Sequence, residues 1–179
     1  MIKRQDFRKE DEKMAEQVKK TEEEKVVALL KQMGLTMASA ESCTGGMVAS
    51  RIVNVSGASE VFMEGFVTYT EKAKRRRLRV KKKTIKKETA VSAKTAKEMA
   101  EGGCRAAKTD VCVSITGYAG PNGGTQEKPV GTVFIGCCCL GKVKVKEYHF
   151  VGSRSEIRQQ ACEKALILVK KCLKKVNKK

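Results

Sequence analysis

The sequence predicts a three-layer α/β/α domain built on a mixed β-sheet, with an additional helix at the N-terminus. Three observations predict it. Short apolar runs alternate along the chain with longer amphipathic segments, the signature of strands covered by helices. Glycine-rich turns follow two of the apolar runs, where α/β sheets present their strand ends. Near the C-terminus two strand-like runs flank Leu140-Gly141, and such a hairpin adds an antiparallel pair to an otherwise parallel sheet.

The elements follow in order. Residues 7–33 are charged, with Phe7, Met14, Val18, Val26, Val27, Leu29, Leu30 and Met33 as the apolar minority; the second half has helical spacing and stops at Gly34. We read residues 1–24 as a charged helical extension and 25–179 as the domain proper. LTMASAE (35–41) is a short strand, Ser42-Cys43-Thr44-Gly45-Gly46 a turn, and Met47–Val53 a helix with Thr44 as its expected N-cap. Val61–Thr70 is aromatic and β-branched enough for a strand; Lys72–Leu78 predicts a short helix and Val91–Lys108 a longer one capped by Ser92. Asp110–Thr116 is a buried strand, and 117–129 is a glycine-rich loop holding both prolines of the chain. Val130–Leu140 and Lys142–Val151 form the hairpin, and Ser153 opens a final helix to about Val176.

Composition excludes several classes. No run approaches the roughly 18 apolar residues of a membrane span, and MIKRQDFRKEDEKMAEQ has no apolar secretory core, so a cytoplasmic location is expected. The eight cysteines contain no C-x-x-C pair and the single histidine is His149, which argues against zinc. Cys137-Cys138-Cys139 sits in one apolar strand, where alternate residues face opposite sides; these are read as small buried hydrophobes. The formal net charge is +18, and KRRRLRVKKKTIKK (74–87) concentrates it. That run has no aromatic interleaving of the kind that stacks bases, so a solvated basic surface is favoured over a dedicated nucleic-acid site.

Ser42 lies where a strand, a glycine-rich turn and a helix meet, and amides of Gly45 and Gly46 there would suit an oxyanion. A turn or N-cap serine fits the same local pattern. With one histidine in the chain, a Ser-His-Asp triad rests on His149 alone; a lysine serves instead if its amine is held neutral. Lys74, in TYTEKAK, is one candidate among many lysines, with Arg75 to Arg77 beside it to lower its pKa. TGYAGPNGG (116–124) permits close backbone approach to a phosphate or carbonyl, yet is neither a P-loop nor a Rossmann fingerprint. Arg154 and Arg158, four apart on the last helix, form a pair that can fork onto a phosphate or simply solvate that helix.

Together and in order, AESCTGG (40–46), GFVTYTEKAK (65–74), AVSAKTAKEMAEG (90–102), SITGYAGPNGG (114–124), EKPVGTVFIG (127–136) and GSRSEIR (152–158) resemble the CinA C-terminal domain family, which includes stand-alone nicotinamide-nucleotide amidases. The resemblance covers about residues 25–175. It implies deamidation of nicotinamide mononucleotide to nicotinate mononucleotide and ammonia, with no metal or cofactor, in a cytoplasmic homo-oligomer. By position it implies Ser42 as nucleophile, Lys74 as its base and Tyr69 beside them. Gly45, Gly46, Thr116, Gly117, Ala119, Gly120, Arg154 and Arg158 would contact substrate. The family pattern has Tyr-Ser-Asn where this chain has Tyr69-Thr70-Glu71, and Glu71 next to Lys74 would raise its pKa. Two other functions are carried beside the enzyme: a catalytically inactive nucleotide- or partner-binding protein, and a basic nucleic-acid-associated protein.

Overall fold

The computed structural model describes residues 20–177. The extension over residues 1–24 lies almost wholly outside them. Helix α1 spans Glu22–Met33, held at its start by a reciprocal capping box between Thr21 and Glu24 and stopped by Gly34 at φ 62°. Strand β1 is Met37–Glu41, α2 Met47–Val53 and, after a 3₁₀ turn at Ala58–Glu60, β2 is Phe62–Val67. Helix α3 is Glu71–Leu78, α4 Lys82–Glu88 and α5 Ala93–Ala107; then come β3 (Val111–Gly117), β4 (Thr132–Cys139), β5 (Lys142–His149) and α6 (Arg154–Val176).

The five strands run in the order β2-β1-β3-β4-β5. Strands β2, β1 and β3 are parallel; β4 and β5 are antiparallel to their neighbours, which gives the mixed sheet. The hairpin turn has Leu140 at φ 47° and Gly141 at φ 75°, two positive angles that match the twist of the flanking strands. Ser153 and Glu156 form a second capping box at the head of α6. The strands are a few residues shorter than the sequence predicts at Val61–Thr70 and at both arms of the hairpin, because apolar residues continue into the connections.

One face of the sheet carries the main core, where Val111, Val113 and Ile115 meet Leu166, Val169 and Leu173 of α6 and Val26 and Leu30 of α1. Cys137 and Cys139 belong to this face. Cys112 faces the other way, with Ala38, Ala40, Leu78 and Met99 under α3 and α5. Helix α5 approaches closely because its glycines have no Cβ: one built at Gly103 would stand 2.2 Å from Cys112 Sγ, and one at Gly102 only 1.9 Å from the Leu78 carbonyl oxygen. That second contact fixes the end of α3. Gly102→Ala must push α3 off α5, at a cost of about 1–3 kcal/mol; a thermal midpoint lower by on the order of 5 °C is the expected readout.

Helix α4 has no counterpart in the sequence reading. Its KKTIKKE segment buries only Thr84 and Ile85 and shows no amphipathic period.

Candidate active site

Because β2, β1 and β3 are parallel, their carboxyl ends share one edge of the sheet, and each end hands a polar residue to the same place. Ser42 follows β1, Thr116 lies at the end of β3, and Thr68 leads from β2 through Thr70, whose side chain caps α3, to Lys74 on that helix. The Lys74 amine stands 2.7 Å from Ser42 Oγ, across 32 residues of sequence. It also reaches the carbonyl oxygens of Thr68 at 2.9 Å and Tyr69 at 3.3 Å. A neutral amine has two N–H bonds and one lone pair; two carbonyls take the N–H bonds, and the lone pair is left for the Ser42 hydroxyl.

Lys74 is 2% exposed. Burial drives its pKa down from 10.5 to about 8, against small opposing contributions from Cys43 and Glu71. The expected rise from Glu71 is therefore present but loses to desolvation, and the expected lowering by Arg75 to Arg77 is not what acts. Those guanidiniums are exposed, where water screens them.

The turn after Ser42 is organised differently from the sequence reading. Thr44 does not cap α2: its buried hydroxyl has no hydrogen-bond partner among the described residues. The cap is Glu41, a fully buried carboxylate at the end of β1. Its Oε2 accepts from the amides of Gly46 (3.0 Å) and Val48 (3.2 Å), and its Oε1 from the amide of Ala49 (3.0 Å) and the hydroxyl of Ser39 (3.1 Å). A carboxylate at a helix N-terminus satisfies orphan amides and the positive end of the dipole together. Meanwhile the Gly45 amide donates to the Ser42 carbonyl at 3.1 Å. Both amides expected to hold an oxyanion are thus committed within the turn. The amides of Cys43 and Thr44 donate to no acceptor among the described residues.

A cavity of about 260 Å³ opens over the pair. Ser42, Lys74, Tyr69, Thr116, Gly117, Ala119 and Arg154 line it, and so do Tyr118 and Asn122 of the following loop. No carboxylate is among its lining residues, and Arg154 brings a fixed cation to it. Thr116 Oγ1 donates to the Ala90 carbonyl at 2.7 Å, and Arg154 donates to the Gly120 carbonyl at 2.8 Å and the Tyr69 hydroxyl at 3.4 Å. Gly45, Gly46, Gly120 and Arg158 are not among its lining residues. Arg158 in particular does not pair with Arg154: it donates to the carbonyls of Cys43 (2.9 Å) and Thr44 (3.0 Å), pinning the turn that carries Ser42. His149 lies on β5, exposed and against Glu147 at 3.3 Å, away from Ser42.

Two residues here were missed from sequence. Glu41 reads as the polar end of a strand, and its amide partners leave no pattern of residue types. Lys128 holds the far end of the glycine-rich loop by donating to the carbonyls of Glu88 (3.2 Å) and Val91 (2.9 Å). Val91 lines the cavity, so this link joins the loop to the wall.

A buried serine–lysine pair thus lies at the carboxyl edge of a mixed α/β sheet. The chain belongs to the CinA C-terminal domain family, whose family model matches residues 19–173. It is 54% identical over 151 residues to a CinA-like protein of Kosmotoga olearia, covering 84% of this chain and 37% of the relative. It is 51% identical over 146 residues to a putative competence-damage inducible protein of Clostridium novyi, covering 82% of this chain and 35% of the relative. The chain therefore spans little more than a third of the length of these curated relatives. Solved structures match along nearly their whole length. A competence or damage-inducible protein from Enterobacter asburiae superposes with a TM-score of 0.83 at 30% identity, over 87% of this chain and 99% of that one. One from Agrobacterium tumefaciens gives 0.81 at 36% identity, over 87% and 97%. Among the described residues no helix is long and apolar enough to cross a membrane.

Proposed function

We propose that this domain hydrolyses the carboxamide of nicotinamide mononucleotide, releasing ammonia and nicotinate mononucleotide. The observation that carries the reading is the buried Lys74 amine, with its pKa brought down to about 8, at 2.7 Å from Ser42 Oγ. Lys74 accepts the Ser42 proton as the oxygen attacks the carboxamide carbon. The oxyanion takes hydrogen bonds from the amides of Cys43 and Thr44, the donors the turn leaves open. The Lys74 ammonium then protonates the leaving nitrogen, the C–N bond breaks, and ammonia departs. A water, deprotonated by the neutral amine, attacks the resulting ester, and the proton returns to Ser42 as the acid leaves. Arg154 supplies the cation for the 5′-phosphate, in a cavity whose lining has no carboxylate to repel it. Arg158, occupied by two carbonyls, acts on the turn instead. A homo-oligomeric, cytoplasmic enzyme is part of the same proposal.

The test is ammonia release from nicotinamide mononucleotide by purified protein, beside nicotinamide riboside and plain nicotinamide. Ser42→Ala removes the attacking oxygen and no buried packing, so turnover is expected to fall by more than about 10³-fold at an unchanged thermal midpoint. An active Ser42→Ala protein sinks the nucleophile, and equal turnover of plain nicotinamide sinks the role of Arg154.

A further inference from the structure

A second concave surface lies on α3, α4 and α5, and none of its residues lines the Ser42 cavity. Three adjoining clefts, of about 720, 830 and 390 Å³, share Arg79. The 720 Å³ cleft is lined by Arg76, Arg77, Arg79 and Arg105, four of the ten arginines of the chain. Lysine would serve for mere solvation. Arginine presents a planar fork that fits phosphate oxygens two at a time.

The charges are also unspent. Among the described residues of the three clefts, the ion pairs are Arg77 with Glu64 and Lys97 with Glu101, both at 3.9 Å; Glu71 and Glu98 also line the clefts. Arg79 ends α3 at φ 60°, a left-handed position where glycine or asparagine is the usual choice. Its side chain is kept there at a backbone cost, at the hub of the three clefts. Lys81, Lys82, Lys94 and Lys97 carry the positive track into the neighbouring two, past the span of one small anion.

We propose that this surface binds the phosphodiester backbone of duplex nucleic acid without reading its sequence. Phe66, the aromatic residue of the 720 Å³ cleft, is 6% exposed and offers no face for stacking bases, so the contact is to phosphates. None of the large exposed apolar side chains lines the clefts, which leaves no anchor for a lipid surface.

The experiment uses the full chain and labelled duplexes of two unrelated sequences, as DNA and as RNA, with affinity measured across salt. Affinity is expected to fall linearly on a log–log scale, with similar values for all duplexes. The triple variant R76Q/R79N/R105Q should bind more than about tenfold more weakly at low salt, with its salt slope reduced by about 2–3. The control K142Q/K144Q/K146Q removes the same charge from exposed positions of β5 and should bind as the parent does. All six positions are exposed; matched melting curves verify folding, and the single Arg105→Gln repeats the comparison in a milder form. Equal weakening by the two triples would reduce the binding to net charge and overturn the proposal. So would a strong sequence preference, no binding, or displacement of the duplex by equimolar tripolyphosphate.

Discussion

Lys74→Met is expected to abolish ammonia release and to change how stability depends on pH. The two effects share one cause. At neutral pH the buried amine is charged in both the folded and the unfolded chain, so folding bears the full cost of burying a cation. As pH rises past about 8 the folded protein loses that proton, while the unfolded chain keeps it until 10.5. Unfolding then takes up a proton, so stability rises with pH across this window and levels off above it. Moving an amine from 10.5 to about 8 is worth on the order of 3 kcal/mol. Methionine lacks this contribution. Urea melts of parent and variant at pH 7 and pH 10 should therefore diverge by that amount in favour of the parent, the remaining lysines and tyrosines cancelling in the difference. Parallel curves would mean that Lys74 is not held neutral. In the parent, kcat/KM should climb through about pH 8, because the free base is the reactive form; a flat profile contradicts it.

The second large effect is on stability, at Glu41. Glu41→Ala strands three backbone amides and the Ser39 hydroxyl, all bonded to this carboxylate in a fully buried site. Removing one partner of such a buried charged network costs on the order of 3–5 kcal/mol, a drop in thermal midpoint of on the order of 10 °C. Glu41→Gln is the sharper test. One oxygen remains to accept, but the amide nitrogen turns its own hydrogens on two donors. A stability loss close to that of alanine is expected, together with reduced turnover from a displaced Ser42. A fully stable Glu41→Gln protein would show that shape, not charge, holds the turn.

Most of the fold was legible because its signals are local. Apolar strands bounded by glycine, the Ser92 and Ser153 caps, and the Leu140-Gly141 turn each announce themselves within a few residues. Helix α4 did not, since its stability comes from two buried side chains and its neighbours. Ser42 and Lys74 are candidates on local grounds, but their pairing comes only from the family resemblance, since nothing local links residues 32 apart in sequence. What joins them is the shared direction of β1 and β2, a property of the sheet. The partners of Glu41 and Arg158 were invisible for another reason: both side chains bond mostly to backbone atoms, and every residue type carries those. The sequence therefore offered Thr44 as a cap, a role that suits its chemistry but not its neighbours, and left the two carbonyls held by Arg158 unannounced.

The grip of Arg158 on two carbonyls has a geometric corollary. In a trans peptide the C=O and the next N–H point in opposite directions. Drawing the Cys43 oxygen toward a guanidinium therefore aims the Thr44 hydrogen the opposite way. An arginine bonded to main-chain carbonyls thus sets the bearing of a main-chain donor, as a rudder at the stern sets the direction of the bow.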